Sequence, residues 1–270
     1  MQENRPNKAI IVLIVAILAA FVFPIAWMII SALKPQAQIM STQHFFSFDP
    51  TIANFKTVLQ EHKFLYYMFN SLIVSTSAVL ASLLIGLPAA YGVAKYRMNA
   101  LGMVVLVVKI IPGIMFLVPW YIIFSNIQLI DTYGVLIVTQ MIIALPYIVW
   151  IMIGFFETLP GEIQESGLID GCTKIGVFTR IVLPISAPGY ITASLLAFIH
   201  SWNHFLFPVI FSGNKTRTLP VAIFNFISYA DLNWGAVMAA ATFVTLPVIA
   251  ISLFTQRFIV SGLSAGAVKG

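Results

Sequence analysis

Residues 157–188 read ETLPGEIQESGLIDGCTKIGVFTRIVLPISAP, a polar, helix-prone stretch between long apolar runs. Four of the nine acidic residues of the chain lie in it (Glu157, Glu162, Glu165 and Asp170), beside Lys174 and Arg180. A helix satisfies its own backbone inside a bilayer, but this density of charge cannot be buried in hydrocarbon. The stretch is therefore expected outside the membrane and open to a soluble partner, with its neighbours within.

Composition sets the class. The chain of 270 residues is 60% hydrophobic and 9% charged, with a mean hydropathy of +0.98. Soluble domains carry about a quarter charged residues, so an integral membrane protein is implied and a soluble enzyme is excluded. The length fits one helical membrane domain. A net charge of +5 is read as Lys and Arg retained on the cytoplasmic side, not as a nucleic-acid surface. The single cysteine, Cys172, excludes an intrachain disulfide and any paired-cysteine metal or redox motif.

Working outward, the spacing predicts an all-α polytopic protein with six transmembrane helices. Residues 9–33 are free of charge and follow Arg5 and Lys8. At helical rise they reach about 37 Å, ample for a hydrocarbon core of roughly 30 Å. The run is longer than the apolar part of a signal peptide and is read as an uncleaved first span. A polar external loop follows, with a short helix expected near residues 51–60; His44 and His62 in it have no ligand partners and are read as solvated. Further spans are expected at 66–94, 100–125, 132–156, 189–211 and 234–255. A folded external hairpin is expected at 212–233 and a tail at 256–270. The spans hold prolines at 24, 88, 112, 119, 146 and 247, tolerated in membranes where neighbours or water satisfy the freed carbonyl.

Six spans put both termini on one side. With the termini inside, eight Lys/Arg (Arg5, Lys8, Lys95, Arg97, Lys174, Arg180, Arg257, Lys269) face the cytoplasm and five (Lys34, Lys56, Lys63, Lys215, Arg217) face outside. The excess favours cytoplasmic termini, and residues 157–188 are then cytoplasmic too.

Several chemistries have no residues to support them. No Gly-x-x-x-x-Gly-Lys-Ser/Thr phosphate loop occurs, nor Gly-x-Ser-x-Gly, nor His-Glu-x-x-His. No Asp or Glu falls in any predicted span, which counts against an ion-coupled secondary transporter with a midplane carboxylate.

Glu165-Ser-Gly-x-x-Asp170-Gly171-Cys, then Phe178-x-x-Ile181-x-Leu183-Pro184 and Pro188, resembles the EAA loop of binding-protein-dependent ABC importers. Ser201-Trp202-Asn203, Gln256-Arg257-Phe, and the close from Gly262 to Lys269-Gly270 agree with it. Together they resemble the carbohydrate-uptake branch of that permease family, end to end. The departures are small side chains: Ser166 and Gly167 stand where the family has two alanines, and Cys172 replaces its usual Ala. Gly167 lowers helix propensity by roughly 1 kcal/mol relative to Ala.

The resemblance implies a type I ABC importer permease fold in the bacterial or archaeal cell membrane, carrying a sugar, oligosaccharide or polyol. Glu165, Ser166, Gly167, Asp170, Gly171, Phe178, Leu183 and Pro184 would form the coupling element against an ATPase subunit. A homologous second permease, two ATP-binding subunits holding ATP and Mg, an external solute-binding protein and membrane lipid are the implied partners. No cofactor and no covalent chemistry are expected in this chain. Helix from Glu162 to Asp170, ended by Gly171, would place Glu162 and Glu165 in the early turns, where the helix dipole favours anions.

For the solute path the candidates are Lys109, Trp120, Tyr121, Trp202, Asn203 and His204. A cation this deep costs about 2.5–3.5 kcal/mol on insertion scales, so Lys109 either faces a pathway or pairs with a carbonyl or an acid of a partner subunit. The aromatic and amide side chains suit carbohydrate, although tryptophan in a bundle also packs. His200 and His204 share a helix face at i, i+4 and are read as path lining or interhelical hydrogen-bonding groups. A permease for a non-carbohydrate solute, a secondary transporter and a signalling or scaffold membrane protein are the alternatives. Co-purification with a nucleotide-binding subunit separates the last two from an importer.

Overall fold

The computed structural model describes residues 8–41, 45, 47–61, 63–226 and 233–267, and within them there is no β-strand. His44, His62, residues 227–232 of the hairpin and Lys269 lie outside the described residues. The helices are α1 (Lys8–Ala32), α2 (Gln36–Ile39), α3 (Ala53–Glu61), α4 (Phe64–Lys95), α5 (Asn99–Ile110), α6 (Leu117–Asn126), α7 (Tyr133–Glu157) and α8 (Gly161–Ile169). Then come α9 (Lys174–Val177), α10 (Leu183–Ile185), α11 (Ala187–Trp202), α12 (Leu206–Phe211), α13 (Leu219–Ala222) and α14 (Trp234–Ala267). Four are long and apolar enough to cross a membrane, and two bent pairs bring the spans to six.

Three expected elements differ in form. Residues 100–125 are not one helix: α5 stops at Ile110 and the chain turns 85° before continuing from Gly113 to Asn126. Ile111 and Pro112 are extended, with ψ of 122° and 128°, the conformation that proline imposes on its predecessor. Residues 189–211 divide into α11 and α12 around Asn203, His204 and Phe205. The last helix continues to Ala267, through most of the stretch expected as tail.

The chain forms two compact units. The first comprises residues up to 65 together with 222–246. In it α1 buries only Ser31 and Ala32, while side chains such as Phe21 stand three-quarters exposed. Charged only at Lys8, and packed on its own unit chiefly near its carboxyl end, where Trp27 stacks on Phe45 at 4.4 Å, such a helix is one built for lipid or another subunit. Its carboxyl end is closed by Asn54 of α3, whose Nδ2 donates to the Ala32 and Lys34 carbonyls at 2.8 Å each, groups the helix leaves without partners. Lys34 is buried, its ammonium donating to the Phe45 carbonyl at 2.7 Å and lying 4.6 Å from the Trp27 ring.

The second unit, residues 66–221 with 247–270, carries the functional elements. Its core joins Val79 and Ala90 of α4, Ala144, Ile148, Val149, Met152 and Phe156 of α7, and Ala193 and Ala197 of α11, with Val177 and Val182. Lipid tails are as apolar as leucine, so small side chains that let helices approach closely are what holds such a bundle. Gly86 is one of them: a Cβ there would sit 3.3 Å from Leu145 and from Val149.

Polar bonds close the other end of this unit. Asp131, with φ +60°, accepts from the Gly213 and Thr216 amides at 2.8 and 3.0 Å and from the Thr216 hydroxyl at 2.8 Å. The Lys215 amide reaches its other oxygen at 3.2 Å. Burial pushes this carboxyl up, but these four donors outweigh it and hold its pKa below the ordinary aspartate value. Asn70 adds donations to the Lys215 and Arg217 carbonyls and accepts from the Tyr133 hydroxyl at 2.6 Å.

Candidate functional site

The first candidate surface is the turn around α8. Pro160 precedes the helix and supplies no side-chain cap, and Glu162 lies in its first turn. The carboxyl end is a Schellman motif. The Cys172 amide donates to the Gly167 carbonyl at 3.0 Å and the Gly171 amide to that of Leu168 at 3.1 Å. Gly171 takes φ +87°, as the motif requires of its left-handed residue. Helix α9 then starts on a Thr173 cap, whose hydroxyl accepts from the Gly176 amide at 3.1 Å.

One face of α8 is fastened and the other is free. Gly167 is buried, and a Cβ there would lie 2.4 Å from Ile181 Cδ1. Here the glycine that replaces the expected alanine makes room for Ile181. Gln164 accepts from the Tyr91 hydroxyl at 2.7 Å, and that hydroxyl accepts in turn from Lys95 at 3.0 Å. The Tyr91 ring lies 4.9 Å from that of Phe178 and 5.6 Å from that of Phe156. Tyr91 thus joins α4, α7, α8 and the π-turn Phe178–Val182. Opposite, Glu165, Ser166, Asp170 and Gly171 are exposed, with Ile169 and Ile175 85% and 76% uncovered. Apolar side chains bared among carboxylates, on a turn too polar for lipid, make this face a candidate docking surface. Leu183 is half-buried and Pro184 exposed, just before the chain bends 74° into α11.

The second candidate is a cavity of about 370 Å³ beside the break at Pro112. Lys109, Tyr147, His200 and His204 are its ionisable lining residues, set among Ile110, Ile142, Phe116, Phe207 and other apolar groups. The Lys109 ammonium lies 4.4 Å from the Tyr147 ring and 5.0 Å from that of Trp150. His204 Nδ1 is buried there without a hydrogen-bond partner. A second cavity, of about 280 Å³, shares Tyr147 and His200 and adds Asn203.

Lys109, His204 and Asn203 are therefore brought around one aromatic, Tyr147, while the other path candidates lie elsewhere. Trp202 is buried and stacked on Phe198 at 5.7 Å. Trp120 stacks on Phe116 at 5.2 Å and lies tilted against Phe207 at 5.3 Å, behind the lining. Tyr121 is exposed and lines neither cavity. Sequence reasoning missed Tyr147, Trp150, Tyr91 and Gln164. Tyr147 sits one residue after Pro146, a position the sequence marks only as a helix irregularity. Among the described residues, no group of three His, Cys, Asp or Glu side chains could hold a metal ion.

Residues 82–265, which include the α8 turn and both cavities, match the family described as "Binding-protein-dependent transport system inner membrane component". The chain belongs to that family. Among similar proteins, this inner membrane permease component is 34% identical to the diacetylchitobiose uptake system permease protein DasC of Streptomyces coelicolor, over 98% of the chain and 96% of that protein. It is 32% identical to the trehalose/maltose transport system permease protein MalG of Thermococcus litoralis, over 97% and 98%. The fold of the permease matches a chain in the crystal structure of a bacterial ABC transporter that imports the acidic polysaccharide alginate. The TM-score is 0.78 at 18% identity, covering 95% of this chain and 99% of that one.

Proposed function

We propose that this permease carries a sugar, oligosaccharide or polyol across the cell membrane, and that α8 is where the work of ATP hydrolysis enters it. A homologous second permease completes the path, two ATP-binding subunits hold ATP and Mg, and an external binding protein delivers solute. Both termini and the α8 turn face the cytoplasm in this reading, and the turn at 212–226 faces outside. The sugar class is supported by the substrates for which the relatives above are named. Lys109, His204 and Asn203, grouped around Tyr147, are the proposed path residues; Trp120 packs behind the lining on Phe116 and Phe207, whereas Trp202 and Tyr121 lie away from it.

The observation that carries the coupling role is the two-sidedness of α8. Its inner face is locked by Gly167 against Ile181 and by Gln164 against Tyr91, while Ile169 and Ile175 stand open. A push on the open face is thereby passed to α4 and α7. The test is a crosslink. In a Cys172→Ser background, Ser166→Cys in membranes containing the whole importer should react with impermeant thiol reagents from the cytosolic side. It should also capture an ATP-binding subunit, with a yield that changes on adding ATP. A position 166 shielded from the cytosol, or one that captures no such subunit in actively importing membranes, overturns the proposal.

A further inference from the structure

The geometry points to a subsite for an anionic group of the solute, such as the carboxylate of an acidic sugar, in the cavity beside Pro112 with Lys109 as its counter-charge. This rests on the preceding reading that the cavity belongs to the solute path.

The cavity is electrically one-sided. No Asp or Glu lines it, and the described acids of this unit lie at the last residue of α7 (Glu157) or in the connections beyond the spans (Asp131, Glu162, Glu165 and Asp170). Among the described residues the Lys109 ammonium forms no hydrogen bond; its partners are the faces of Tyr147 and Trp150, and its side chain is exposed in this chain. A deep cation normally pairs with a charge or with carbonyl oxygens, and cation–π contact leaves its three N–H donors unused. His204 also lines the space, and its Nδ1 is buried without a hydrogen-bond partner among the described residues.

A neutral hydroxyl would satisfy a donor and leave the charge uncompensated. A carboxylate would satisfy both, since charge-assisted hydrogen bonds are about twice as strong as neutral ones. The aromatic faces hold the ammonium in place when the site is empty. They compete only weakly with an arriving anion, so the site can fill and empty again. The volume, at the low end of small-molecule sites, suits one sugar ring rather than a whole oligosaccharide.

The test uses the complete importer in nanodiscs and two probes that differ only at C6, glucuronate and glucose. Binding is read by ligand-observed saturation transfer. Glucuronate should bind at least about ten-fold more tightly than glucose. Lys109→Gln should erase that preference and Lys109→Arg should keep it. Equal binding of the two probes, no binding of either, or a preference that survives in Lys109→Gln overturns the subsite. So does loss of the partner permease on purification of Lys109→Gln, which would assign the charge to an acid of that subunit. The position-166 crosslink, run on the same preparation, tells the two failures apart. With it present, only the anionic subsite falls; with it absent, the importer reading falls first.

Discussion

Two spans of this permease turn a sharp corner next to proline, and the corners are finished in opposite ways. Between α10 and α11 the chain bends 74°, with Pro184 and Pro188 on either side. Ser186 is fully buried there, donating through Oγ to the Val182 carbonyl at 2.7 Å, and Gly189 admits the Phe155 ring. Beyond α5 the chain bends 85° at Pro112. There α5, the short 3-10 turn Gly113–Phe116 and α6 bury no residue at all, and the space beside them is the Lys109 cavity. The same backbone chemistry thus gives a closed, packed corner and an open one with a cavity beside it. Openness is paid for in packing, so changes at the open corner should act on transport and changes at the closed one on stability.

The largest expected effect is at the open corner. Lys109→Met keeps the length of the side chain and removes the charge. Uptake by the reconstituted importer should be abolished while assembly with the partner permease is intact. Removing a cation that costs about 2.5–3.5 kcal/mol at bilayer depth should leave the melting temperature unchanged or higher. A variant that imports at the wild-type rate would show that the cavity is no part of the path.

Gly189→Val makes the opposite experiment at the closed corner. A Cβ at 189 would stand 2.6 Å from the Phe155 ring, and a ring flanked by core residues has no flexible end to withdraw. Overpacking of this kind costs about 1–3 kcal/mol. Detergent melts should therefore show a clear loss of stability. Gly154→Val on α7, where an added Cβ meets nothing within 4 Å, should show little. Equal losses at 189 and 154 would deny that the first corner is tightly closed.

Gly171→Ala comes next. Nothing lies within 4 Å of a Cβ at 171, so the cost is the left-handed backbone alone, about 1–2 kcal/mol. That strain falls on the Schellman turn and not on the core. Hydrogen exchange should quicken in α8 while α7 keeps its protection, and Gly171→Asn should restore part of the difference. Faster exchange throughout the bundle would mean that the turn is less local than the contacts show.

These residues also mark where the sequence was legible. Apolar run length placed α1, α4 and α7 to within a few residues but not the far end of α14, and the Asp170-Gly171 step announced the end of α8, because capping is a local code. The corner at Pro112 was visible only as a proline inside a span. Whether such a proline bends a helix slightly or breaks it depends on what packs around it, and run length carries no information on that. Tyr91 and Gln164 lie 73 residues apart, and no spacing rule brings them together. Lys109 was legible as a lone cation inside an apolar run, whereas Tyr147, the ring beside it, is an unremarkable aromatic in another such run. Local rules found the spans and the turn, and long-range packing decided which side chains meet.

The smallest effect concerns the polar bonds beyond the open corner, past the cluster of Phe207 and Phe211 on which Leu117, Trp120 and Phe124 of α6 pack. Asp131, five residues past the end of α6, ties this region to the turn at Gly213–Thr216 through four donors, and its own amide donates to the Phe211 carbonyl at 2.9 Å. Its pKa in the folded state lies below the ordinary value of 3.8. The stabilisation is then fully present above about pH 4 and is lost as pH falls through the depressed folded value. Asp131→Asn removes the charge and leaves one oxygen to accept. The wild type should melt slightly higher than this variant at about pH 7, and the gap should close towards about pH 3. Gly189→Val should show no such closure, because its cost is steric. If the Asp131→Asn gap persisted in acid, the turn would be held by shape alone, and the contrast between a packed corner and a charge-stitched one would reduce to a difference in packing density.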